Sequence, residues 1–155
     1  MITLDDILAE LPQLLKKEGY KKQRLNWFRR EQDVTLLFTI QRSQWSKETW
    51  YYCFGTAIND LHPEGVRSAH YGDVMARLDC VIAGKMPVAE DIARILKMWE
   101  FKFGTVEKLR ELAIRGSLPF WTTVDAKNYL ITEPYHEEID PYFWEKWLGE
   151  QSRLQ

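Results

Sequence analysis

The chain has 155 residues, 45% of them hydrophobic and 28% charged, a profile that excludes a disordered tail and predicts one soluble globular domain over residues 1–155. Its 21 basic and 23 acidic residues leave a formal charge of -2, so no global basic field awaits a phosphate backbone and nucleic acid binding is disfavoured. No apolar run approaches the roughly 20 residues of a membrane span, and the first residues are acidic where a signal peptide is basic, which predicts a cytoplasmic protein with no membrane partner.

Leu4, Ile7, Leu8, Leu11, Leu14 and Leu15 recur at helical spacing, with Thr3 as a cap and Gly19 as a stop. Pro12 lies inside this pattern, and a proline there removes a backbone bond, so a kink or two short helices is expected. After Gly19 the period falls to two. Residues 24–30, RLNWFRR, read as a short strand. Val34, Leu36, Phe38 and Ile40 alternate with Thr35, Leu37, Thr39 and Gln41 in a second strand. Trp50, Tyr52, Phe54, Thr56 and Ile58 alternate with Tyr51, Cys53, Gly55 and Ala57 in a third. A polar turn near Ser46-Lys47-Glu48 joins the last two.

Residues 59–73 carry Pro63, Gly65 and Gly72 and make the longest irregular connection. Residues 74–82 fit a fourth strand by alternation, while their Ala, Met and Leu content also suits a helix. Val88, Ile92, Ile95, Leu96, Trp99 and Phe103 then share a helical face that Gly104 closes. Thr105 caps another helix with Val106, Leu109, Leu112 and Ala113 inward and Gly116 as its stop. An extended Leu-Pro-Phe-Trp link leads to a Thr123 cap and a short helix through Leu130, and Asp140 with Pro141 opens a last helix bearing Trp144 and Trp147. This order predicts an α+β fold: an N-terminal helix, a three- to four-stranded antiparallel meander, then several C-terminal helices packed on one face of the sheet. Trp50, Tyr52 and Phe54 mark the core side.

A chain of this length buries roughly 70% of its unfolded surface without a metal or a disulfide, so Cys53 and Cys80 are expected as reduced core thiols. His62, His70, His136 and the two cysteines form none of the metal-ligand spacings. Glu137, Glu138 and Asp140 read as a solvated loop ending in a helix cap. There is no G-x-S-x-G elbow and no Gly-rich phosphate loop, so neither a catalytic residue nor a cofactor is predicted.

Two surfaces could bind. Gln41, Ser43 and Tyr51 share a polar strand face on which Cys53, Gly55 and Ala57 leave room for a covering helix or a ligand, Gln41 serving otherwise as a buried amide that ties down a backbone. Arg42, His62, His70 and Arg77 complete this candidate set near the sheet end and the long loop. Gln41, Arg42, His62, His70 and Arg77 would also be the residues of a motif-free hydrolase or nucleotide-acting enzyme. Separately, Lys16, Lys17, Lys21, Lys22, Arg24, Arg29 and Arg30 interleave with Tyr20, Trp27 and Phe28, which suits an acidic protein partner or, less well given the chain's overall charge, a single-stranded nucleic acid. The same cations also suit a helix C-terminus and a protected sheet edge. Trp144 and Trp147 could face a partner or a second copy in a homodimer.

Gly19-Tyr20-Lys21-Lys22 behind an amphipathic helix, Trp27-Phe28-Arg29-Arg30, FTIQRSQWS, ARL at 76–78 and SLPFW at 117–121 resemble a bacterial family known as domain of unknown function 4304. The resemblance spans about residues 5–131 and leaves a Trp-rich extension, 132–155, outside it. It implies one compact domain and carries no catalytic residue. The reading is a small bacterial protein-interaction or binding domain without catalysis, with the enzyme and the homodimer as alternatives.

Overall fold

The computed structural model describes residues 2–45, 49–79, 87–118 and 121–130. Helix α1, Leu4–Lys17, opens with a reciprocal cap in which the Asp6 N–H donates to Thr3 Oγ1 and the Thr3 N–H donates to Asp6 Oδ2. It runs as one helix through Pro12 rather than as two. The proline deletes the bond to the Leu8 carbonyl, but Ile7, Leu11 and Leu15 are buried on one stripe of the helix, and that packing carries it past the missing bond.

Among the described residues the sheet has six antiparallel strands where three or four were expected, and their spatial order is their chain order: β1 Lys21–Gln23, β2 Asn26–Arg30, β3 Val34–Arg42, β4 Trp50–Ile58, β5 Val74–Asp79 and β6 Trp121–Thr122. The expected strand 24–30 is in fact a turn followed by β2. Gln23 pairs with Asn26, so Arg24 and Leu25 form a two-residue hairpin loop. Neither residue advertises a turn, and Arg24 takes φ +57, a left-handed conformation that side chains other than Gly and Asn adopt at a cost. Arg24→Gly is expected to raise the unfolding free energy by about 0.5–1 kcal/mol, the relief of strain exceeding the entropy that glycine adds to the unfolded chain; urea melts check it, and a less stable variant contradicts the strain argument. The two-residue β6 falls in what the sequence presents as an extended link.

Val34, Leu36, Phe38 and Ile40 of β3 and Trp50, Tyr52 and Phe54 of β4 point into the main core, as their alternation requires. Against them lie α1, α2 (Ala89–Phe103), α3 (Val106–Ile114) and α4 (Val124–Leu130). α3 and α4 are capped by Thr105 and Thr123, whose hydroxyls accept from the Lys108 and Ala126 N–H groups. Trp99 of α2 is fully buried, its ring centroid 4.3 Å from that of Phe103, and its Nε1 donates to Thr56 Oγ1 at 2.9 Å. Arg29 of β2 fastens the layers at their rim: it meets Glu31, Glu100 of α2, the Glu18 carbonyl and the Tyr20 ring. Burial there raises the Tyr20 phenol pKa well above its ordinary value. The crevice beside this cluster, about 190 Å³ counting open solvent and lined by Leu15, Tyr20, Arg29 and Leu96, is smaller than a typical ligand pocket. No described helix is long and apolar enough to cross a membrane. Ser46 to Glu48, Cys80, the far end of the expected strand 74–82, His136 to Asp140 and the helix with Trp144 and Trp147 all lie outside the described residues.

Candidate functional site

With helices on one face, the function has to be sought on the other. Register fixes what that second face carries. Asn26, Thr39, Cys53 and Arg77 align across β2 to β5, and Phe28, Leu37, Gly55, Met75 and Trp121 form the next row. Beyond the first row come Gln41, Tyr51 and the Asp79 position of β5.

The long connection 59–73 folds onto this face through two short 3-10 turns, Asn59–Leu61 and Ala69–Tyr71. Ala69 is fully buried there with Leu37, Cys53 and Ala57 in a second apolar cluster. Gly55 permits the approach, since a Cβ on it would stand 3.2 Å from the Ala69 carbonyl oxygen. The threonines that alternation places on this face are consumed by the contact. Thr39 Oγ1 accepts from the Ala69 N–H at 3.0 Å and donates to Asn26 Oδ1 at 2.8 Å, and Thr35 donates to Asn59 Oδ1 at 2.7 Å. The face is therefore covered over its middle by a loop, and not by a helix.

Asp73 holds the far end of that loop. Its side chain is nearly fully buried, and its Oδ2 accepts from the Ile58 N–H at 2.8 Å and lies 2.8 Å from His62 Nε2, while Oδ1 accepts from Thr123 Oγ1 at 3.2 Å. Thus His62 is a structural partner of a buried carboxylate. It sits where Val34 pairs with Ile58, whereas Arg42 pairs with Trp50 at the other end of the nine-residue strands, about 25 Å away. These two candidates are not brought together.

Near the uncovered end, the Arg77 guanidinium lies over the Tyr51 ring at 4.4 Å. Gln41 is half-buried, and its Oε1 is 4.0 Å from Cys53 Sγ, so the amide meets a thiol rather than a backbone. Burial pushes the Cys53 thiol up to about 11 against the opposing pull of Arg77, which leaves it protonated and unreactive at neutral pH. Ser43 closes the hairpin, its hydroxyl accepting from the Trp45 N–H at 3.1 Å. His70 is exposed on the second 3-10 turn, and partial desolvation of its ring lowers its pKa. Lys21, Lys22 and Arg24 are all exposed on the β1 hairpin, and Lys22 Nζ rests 5.6 Å from the Trp27 ring centre. Among the described residues no group of His, Cys, Asp and Glu could hold a metal ion.

Residue patterns did not single out Tyr71, Met75 or Trp121. Tyr71 is 74% exposed and Trp121 56% exposed, and Met75, half-buried, pairs with Trp121 across the β5–β6 ladder. Together with Tyr51 and Arg77, Met75 and Trp121 form a strip along the β4, β5 and β6 side of the face, and Tyr71 stands exposed on the second 3-10 turn.

A family profile described as Domain of unknown function (DUF4304) matches residues 11–118. The chain belongs to the DUF4304 family. The matched span is narrower than the resemblance of 5–131, and it ends before β6 and α4. It contains the DUF4304 sheet from β1 to β5, the long loop and Asp73, while the Thr123 hydroxyl that completes the Asp73 site comes from beyond it. No curated protein and no solved structure matches the chain.

Proposed function

We propose that this DUF4304 protein is a non-catalytic protein-interaction domain of the bacterial cytoplasm that holds an acidic partner protein against the second face of its sheet. The observation that carries the reading is the strip of Tyr51, Arg77, Met75 and Trp121, with Tyr71 exposed on the loop that folds onto the same face. Tyr, Trp, Met and Arg are the residue types enriched where proteins bind one another, and two of these rings are more than half exposed. The polar groups that might have served chemistry have other employment: His62 and Asp73 anchor the loop, and Cys53 is held as a neutral thiol. Strand-to-strand pairing of two copies is a weaker reading. One edge, β6, has two residues, and the other, β1, presents Lys21 and Lys22, which oppose extension of the sheet.

Photocrosslinking tests it. A benzophenone at Tyr71 should capture a discrete protein in host cells, and Arg77→Glu should abolish the capture. A benzophenone at Phe101, exposed on α2, should not give that product. Equal products from both positions, or capture indifferent to Arg77→Glu, would overturn the reading.

A further inference from the structure

We propose that Lys21, Arg30 and Arg67, gathered around Phe28 on the second face, form a site for an acidic peptide segment of the partner. Lys21 lies opposite Phe28 in the β1–β2 ladder, and Arg30 follows two residues later on the same side of β2. Arg67, from the long loop, sets its guanidinium 5.8 Å from the Phe28 ring centre and donates from Nη1 to Gln23 Oε1 at 3.3 Å. Arg30 reaches the same loop, since a Cβ on Gly65 would lie 4.0 Å from its Nη1. One chain segment from each side therefore brings cations to one ring.

What distinguishes the cluster is its lack of counter-charge. None of the three makes an ion pair among the described residues, although Arg29, Arg94 and Lys97 elsewhere each meet a carboxylate. Glu31, next to Arg30 in sequence, is already taken by Arg29. The second-face positions of β1 to β4 include no Asp or Glu at all: they are Lys21, Gln23, Asn26, Phe28, Arg30, Thr35, Leu37, Thr39, Gln41, Tyr51, Cys53, Gly55 and Ala57. Two guanidinium forks match carboxylate geometry. Lys21 on β1 and Arg30 on β2 are offset by two residues, about 7 Å in the strand direction, which suits alternate side chains of an extended peptide. A nucleic acid strand would need a longer basic track and open rings for stacking, whereas Arg67 already occupies the Phe28 ring and the whole chain is net acidic.

The inference rests on the protein-interaction reading and specifies its partner's chemistry. The test titrates the full chain into a fluorescent peptide of alternating glutamate and serine, read by anisotropy. Wild type should bind, raised salt should weaken binding, and Lys21→Glu with Arg67→Glu should weaken it at least about tenfold. Lys16→Glu with Lys17→Glu makes the same charge change at the end of α1 and should stay within about threefold of wild type. Arg67→Lys, which keeps the charge and loses the fork, should fall between. Circular dichroism melts confirm that each variant is folded. No binding by wild type, equal loss in both double variants, or tighter binding of a single-stranded oligonucleotide than of the peptide would overturn the site. Any of these would leave the Tyr71 crosslinking result standing, so the two failures are separable.

Discussion

Asp73→Ala is expected to lower the unfolding free energy by about 3–5 kcal/mol, the range for removing one partner from a buried charged network. Three donors, from Ile58, His62 and Thr123, lose their acceptor at once, and the Ile58 N–H is left buried without one. Asp73→Asn keeps one acceptor oxygen and should cost less, about 1–3 kcal/mol. Asp60→Ala supplies the contrast, because the bond that Asp60 accepts from Tyr129 is exposed and should contribute less than about 1 kcal/mol. Urea unfolding followed by tryptophan fluorescence separates these outcomes. Hydrogen exchange should also locate the damage: amides at Ala69 and Ile58 should lose protection in Asp73→Ala before those of α1. An Asp73→Ala protein as stable as Asp60→Ala would mean that the carboxylate does not hold the loop.

Trp99→Ala is expected to cost about 3–5 kcal/mol, a substantial part of the margin of a domain stable by about 5–15 kcal/mol. The indole fills the space between α2 and the sheet, against Phe54 and Phe103. Its N–H also satisfies Thr56 Oγ1, whose own hydroxyl donates to the Phe103 carbonyl at 3.0 Å. The alanine variant leaves both a cavity and a broken chain of hydrogen bonds, so a fall in melting temperature of about 10 °C is expected. Trp99→Phe keeps most of the volume and loses the N–H, and should cost about 1–3 kcal/mol. If the two variants melt together, the hydrogen bond and not the packing is the larger contribution.

The helices and central strands could be read from the residues because period and caps agree. Val34 to Gln41 and Trp50 to Ile58 alternate cleanly, and Thr3, Thr105 and Thr123 each cap where a helical stripe begins. β1 escaped because its turn uses Arg24 and Leu25, which carry no turn signal, and β6 because two residues show no period. The candidate site was harder to read for a different reason. Thr35, Thr39 and Gln41 look like a wet face in one dimension. Which of them is wet depends on a loop whose path is set by Gly55 and Asp73, residues distant in sequence from the strand they affect. Trp121 joins the strip only through the fold, from the two-residue β6, and Tyr71 reaches the same face on a 3-10 turn.

The sheet's strictly sequential order has a consequence for the chain as it leaves the ribosome. Each strand from β1 to β5 finds its neighbour within the segment just made, but α1 must wait for α2, its principal helical neighbour, whose first residue, Ala89, is made long after Lys17. At about 5–20 residues per second that interval is roughly 4–15 s, during which Ile7, Leu11 and Leu15 have only the nascent sheet to cover them.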